Sequence, residues 1–263
     1  MAELVLTIDY NNLSSGLVIS PEDLVKNFFF GIPLVDKMGN QYPMSLIAQN
    51  IQAAQEEIEK YLNIKLLKQI ITEDKDYFSS DFAAWGYMRA TYPVVEPLSL
   101  DGYIGTIKQI TYPKEWLSAR KTSDGLLYHR HVYMVPNTNA PNTNNNVVFS
   151  GIMPFLGMMG NSQIPNYWTM SYVTGFCKQP QDILNIVGML ASINVLNVIG
   201  DSIVGVGVSS SSIGIDGLSQ SISTTNSSGN SVFGARIKSY TEQIKNTLLR
   251  IENTYKGFTV QAF

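Results

Sequence analysis

Two histidines, His129 and His131, stand two residues apart in the run YHRHVYM. On a strand this spacing puts both imidazoles on one face, where neutral ring nitrogens could bind a transition metal. No third ligand follows at a plausible local spacing, so the pair reads as polar positions of a half-exposed strand. Ser209, Ser210, Ser211 and Ser212 offer hydroxyl nucleophiles, but there is no Gly-x-Ser-x-Gly elbow, and the run lies where preorganisation is poor. Gly205-Val206-Gly207 invites a phosphate-loop reading. Such a loop needs Gly-Lys-Ser/Thr opening a helix after a strand, and here the glycines follow a helical segment with no lysine near. Glu56, Glu57 and Glu59 are neighbouring carboxylates read as the solvated side of one helix. The lone Cys177 excludes an internal disulfide and a multi-cysteine metal site, and reads as a small buried hydrophobe. The residues predict no enzyme, no catalytic residue, no cofactor and no bound metal.

Composition narrows the remaining classes. The 263 residues suffice for one large domain or two small ones. Net charge is -3, and Lys and Arg are scattered, which disfavours DNA binding by the whole surface. Tyr and Phe are plentiful, but no Arg or Lys is interleaved with them as in a nucleic-acid stacking platform. Charged residues make up 15%, against roughly 25% in ordinary soluble domains. A surface this poor in ions suits burial against other subunits, since desolvating ions is costly. The first residues carry Glu3 and Asp9 and lack a basic n-region and a long apolar run, so no signal peptide is predicted. Ile183 to Ile199 is strongly apolar but contains Asn185, Gly188, Asn194 and Asn197, so it reads as a helix packed on most sides and not as a membrane span.

Helices are predicted at both ends of the chain. Ser20-Pro21-Glu22-Asp23 supplies an N-cap, a proline at the first helical position and acids in the first turn, with an end near Gly31. From Met44 to Leu62, Ile47, Ile51, Ala54, Ile58, Tyr61 and Leu62 form one stripe, with Gln49, Gln52, Glu56, Glu59 and Lys60 off it. After Gln179-Pro180-Gln181-Asp182 comes the apolar helix, and Ala235 to Tyr255 repeats Ile237, Tyr240, Ile244, Leu248, Ile251 and Tyr255 at helical steps. Between these lies a β-rich middle, with strands from Ile64 onward, at Leu98 to Tyr103, Ile107 to Tyr112, Tyr128 to Val135 and Tyr167 to Val173. Asn137 to Asn146 reads as an exposed polar loop.

The stretch from Gly200 to Gly234 is too long for an ordinary connection. Val204, Val206, Val208, Ile213 and Ile215 alternate with Gly or Ser, a strand period, and Asp216-Gly217 is a turn pair. It reads as an extended, hairpin-like arm. Its apolar residues Val204, Val206, Val208, Ile213, Ile215, Leu218 and Ile222 are the candidate contacts to a partner, with Phe258, Val260 and Phe263 of the apolar C-terminal segment as a second set. The predicted fold class is α+β: a helical bundle formed from both ends of the chain, a β-rich middle domain, and a long extended arm between the last two helices. The predicted boundaries are 1–64, 65–175 and 176–263, with the arm at 201–234.

The order of parts resembles a known family. SPEDLVKNFF, SLIAQNIQAAQEEIEKYLNIKL, YMRATYPVVEPLSLDG, YVTGF, PQDILNIVGMLASINVL and the last helix ending in Tyr255-Lys256-Gly257 are similar to the head-to-tail connector, or portal adaptor, proteins of tailed bacteriophages. The resemblance covers about two thirds of the chain and contains no catalytic motif. It implies a structural virion protein made in the host cytoplasm and placed at the portal-tail junction. Subunits of that family form a homo-oligomeric ring, commonly of twelve copies, that touches the portal protein and the tail or other neck proteins. DNA would pass through without sequence-specific binding, and no membrane is involved. The helices would form the bundle and the arm would reach a neighbour. The β-rich middle and the arm length depart from the smaller family members. The alternative expectation is a surface-binding or adhesive module whose β-rich part contacts a ligand.

Overall fold

Ser20 and Pro21 start the first helix as their types dictate. In the computed structural model, α1 spans Pro21–Phe28, the Ser20 hydroxyl accepts from the Asp23 amide at 3.1 Å, and it donates to the Asp23 carboxylate at 2.8 Å. The structure describes residues 16–36, 38–78, 87–121, 128–135, 148–149, 153–154, 163–176, 178–204, 210–215, 218–223 and 233–255. Contacts divide the chain into two compact units. One comprises Leu67–Cys177; the other joins the segment ending at Leu66 to the segment starting at Lys178.

The helical unit contains α1, α2 (Met44–Leu62), α3 (Gln181–Val204) and α4 (Gly234–Tyr255). Ile47, Ile51, Ala54, Ile58 and Leu62 of α2 are buried as the stripe predicts. Tyr61 is not; it is 41% exposed and its hydroxyl donates to Glu252 of α4 at 3.1 Å. Glu59, expected on a solvated face, is instead buried and accepts from the Leu66 amide and from Lys65 Nζ, both at 2.9 Å. The helix ends at Asn63 in the left-handed region, φ 52°, which turns the chain back so that residue 66 meets the Glu59 carboxylate.

The helical segments do not form the predicted bundle from both ends of the chain. In a bundle each helix gives one apolar stripe to a shared axis. Here α3 is itself the core: it is apolar around its circumference, and α1, α2 and α4 each pack on it. Ile183, Ile186, Val187, Val195, Leu196 and Ile199 are buried along it. Among the described residues, one helix is long and apolar enough to cross a membrane, Gln181–Ile203, and 61% of its most apolar window is buried inside the protein. On α4, Ile244, Ile251 and Tyr255 are buried, while Ile237, Tyr240 and Leu248 are only half-buried, a looser attachment than six buried side chains would give.

The principal described core is built from two antiparallel sheets in the other unit. A four-stranded sheet has the order β1-β9-β3-β4, from β1 (Gln69–Phe78), β9 (Gln163–Thr174), β3 (Glu96–Ile104) and β4 (Ile107–Thr111). A three-stranded sheet has the order β2-β6-β5, from β2 (Tyr87–Arg89), β6 (Tyr128–Met134) and β5 (Leu117–Lys121). Short strands β7 (Val148–Phe149) and β8 (Met153–Pro154) pair separately. Tyr77, Leu100, Ile110, Trp168 and Met170 from the first sheet share one buried cluster with Met88, Leu117, Val132 and Met134 from the second. Trp116, on a single 3-10 turn at Lys114–Trp116, joins the same cluster. Pro97 sits in β3 where β4 no longer pairs with it, an edge position suited to a residue without an amide hydrogen.

Gly200 to Gly234 also differs from a long extended arm. Helix α3 runs on to Val204, and β10 (Ser210–Ile215) pairs with β11 (Leu218–Ser223) as a hairpin, from Ser210↔Ser223 to Ile215↔Leu218.

Candidate functional site

The arm residues fall in three places. Val204 ends α3; Ile213 and Ile215 lie in β10; Leu218 and Ile222 lie in β11. The register pairs Ile215 with Leu218, Ile213 with Gln220 and Ser211 with Ile222, so positions 213, 215, 218 and 222 share one face of the ribbon. Val206 and Val208 lie outside the described residues, as do Phe258, Val260 and Phe263 of the tail. The hairpin forms a two-stranded sheet that no other described strand extends.

Three of the four helices of the same unit also expose apolar side chains. Leu46 on α2, Val198 on α3 and Leu249 on α4 are exposed, Leu249 by 61%, and Phe30 just after α1 by 87%. Singly these are ordinary; their presence on three helices and a loop, beside so few charges, is what an associating surface would show.

His129 and His131 share a face of β6, as their spacing predicts, and neither is fully buried. Among the described residues no group of three or more His, Cys, Asp or Glu could hold a metal ion. Burial first, then the positive charges of Arg89 and His129, hold the His131 imidazole below its ordinary range. Arg89 lies opposite His131 in the β2-β6 register, and the Arg120 guanidinium of β5 sits 5.2 Å from the Tyr133 ring centroid. Arginine and aromatic rings are therefore interleaved here, contrary to the linear reading. Neighbours on different strands carry no signal at short sequence spacing; the signal available was the absence of any acid in the runs YMR, LSARK and YHRHVYM.

A second polar group, around Glu73, is self-contained. Its carboxylate accepts from the Thr91 amide at 2.9 Å and from the Thr91 hydroxyl at 2.5 Å, and lies 3.3 Å from Lys75 Nζ. The Tyr172 hydroxyl accepts from the Tyr92 amide at 3.2 Å, and burial raises this phenol well above its ordinary range. These bonds fasten the segment after β2 to β1 and β9, a positioning role.

No family model matches the chain, and no curated protein matches it. Among solved structures, a chain of the neck of an empty GTA particle, computed with C6 symmetry, is a weak neighbour with a TM-score of 0.38 and 14% identity, covering 60% of this chain and 71% of that one. A likeness that slight carries no argument about what this chain does.

Proposed function

We propose that this protein is a structural component of a phage virion neck, a head-to-tail connector that works as a homo-oligomeric ring between portal and tail. Twelve copies would surround a passage through which DNA moves without sequence-specific contact, and the chain would catalyse no reaction. The reading is supported by the order of parts it shares with portal adaptors and by a surface with 15% charged residues. It is supported further by exposed apolar side chains on three helices.

The observation that carries the proposal is the β10-β11 hairpin. It is inserted between α3 and α4, is extended by no other described strand, and sets four apolar positions on one face. Such a ribbon is stabilised when its apolar face is covered by a neighbouring subunit or by the portal or tail. Removing residues 204–232 tests this. The shortened chain should keep its helical circular dichroism and lose attachment to portal-containing particles. Loss of folding would instead make the hairpin part of the core.

A further inference from the structure

The three strands of the smaller sheet hold a charge distribution unlike the rest of the chain. Across β2, β5 and β6 there are Arg89, Arg120, Lys121, Arg130, His129 and His131, and not one Asp or Glu. The whole chain has a net charge of -3. On the four-stranded sheet and its border, by contrast, lysines meet carboxylates: Lys75 with Glu73 at 3.3 Å, Lys108 with Asp101 at 3.0 Å and Lys114 with Glu96 at 2.8 Å. Among the described residues no carboxylate lies within ion-pair distance of Arg89 or Arg120.

Strand alternation separates the two faces of this sheet. Met88, Leu117, Val132 and Met134 point into the core. The opposite face takes Arg89, His129, His131, Tyr133 and Arg120, of which both arginines are exposed. The His131 and Tyr133 ring centroids lie 6.1 Å apart, and the Arg120 guanidinium is 5.2 Å from the Tyr133 centroid. Along β6, His129, His131 and Tyr133 advance by about 6.6 Å per two-residue step. Arg89 of β2 stands directly opposite His131 of β6 in the strand register.

We propose that the outer face of the β2-β6-β5 sheet binds single-stranded nucleic acid without sequence preference. Arg89 and Arg120 would meet phosphates, and Tyr133 and His131 would offer ring faces to bases. Charge complementarity selects a polyanion. The guanidinium and ring surfaces side by side favour one with flat π-faces over an acidic peptide, because base-on-ring stacking and arginine contacts add to phosphate attraction. This inference stands on one sheet and does not depend on the neck assignment.

The test is fluorescence anisotropy of a labelled oligothymidylate titrated with the full chain over a range of salt. The chain should bind, and Arg89→Gln/Arg120→Gln should lower the slope of log affinity against log salt by about 1.4, two phosphate contacts at about 0.7 each. Tyr133→Leu should weaken binding about fivefold or more with the slope unchanged, the lower end of what one stacked base is worth. Circular dichroism establishes that each variant is folded, and if Tyr133→Leu is not, Tyr133→Phe, which keeps the ring, should bind like the parent chain. The proposal is overturned if the parent chain does not bind, if the double variant keeps the full slope, or if polyglutamate or duplex DNA is held as tightly as the single strand.

Discussion

The ring of Phe28, at the end of α1, occupies the space that a side chain on Gly188 of α3 would fill. The same ring stands edge-on to Tyr240 of α4 at 6.4 Å, and the Phe28 carbonyl accepts from the Tyr240 hydroxyl and from Arg236, each at 3.3 Å. One residue thereby fixes α1 to both C-terminal helices, and the glycine within an apolar helix has a packing reason.

Gly188→Ala should therefore destabilise the helical unit. The alanine gains helix propensity, but the Phe28 ring must leave its place between α3 and α4, and such overpacking costs about 1–3 kcal/mol. A shift of the denaturant midpoint to lower concentration checks this, and Phe28→Leu in the same background should recover part of the loss.

Glu59→Ala should cost about 1–3 kcal/mol, because it leaves the buried Leu66 amide without its acceptor and removes a partner of Lys65. Glu59→Gln, which keeps an acceptor oxygen, should recover part of that loss. Equal midpoints for Glu59→Ala and the parent chain would show that the bond contributes nothing net.

Gly175, at φ 99°, closes the β unit against the Leu67 backbone, and an added Cβ would overlap the Leu67 carbonyl. Neither the dihedral nor the neighbour can yield cheaply, since the obstacle is main chain. Gly175→Ala should lower the unfolding free energy, measured by denaturant titration, by more than the roughly 1 kcal/mol expected when only the dihedral is unfavourable.

Acid should weaken the β unit through His131. Its folded-state proton affinity is lowered, so its contribution to stability is complete above the ordinary histidine value of about 6.5 and is lost as pH falls below it. Denaturant midpoints should drop on acidification through that window, and His131→Gln should make the drop shallower. At the alkaline end the sign reverses for Tyr167, which burial, with Tyr77 nearby, pushes up to about 12. Stability from this phenol is present below the ordinary tyrosine value of about 10 and is lost as pH rises above it, so tyrosinate absorbance and unfolding should appear together.

Local chemistry explains what was legible in the sequence. Ser20-Pro21 marked the start of α1, and the 3.6-residue period over Met44–Leu62 marked α2, because capping and amphipathicity act over a few residues. The alternation at Ile213 and Ile215 fell in β10, while Val204, read with it, ends α3. Partners across the chain were not legible. Nothing local says that β9 lies between β1 and β3, or that the Arg120 guanidinium comes within 5.2 Å of the Tyr133 ring centroid. Apolar periodicity at both chain ends announced packed helices but not their axis. An α3 without a polar side became the hub, while the bulky side chains Tyr77, Trp116 and Trp168 went to the core of the β unit. Glu59 departs from the solvated face expected of it because a buried acceptor and a solvated carboxylate look alike in sequence until the chain turns back at Asn63.

Electron microscopy of assembled particles with this chain labelled decides whether it is a ring-forming neck component. A closed ring of copies at the portal-tail junction is the expected image, lost when residues 204–232 are removed. Labelled particles with no copy of the chain at that junction would contradict it.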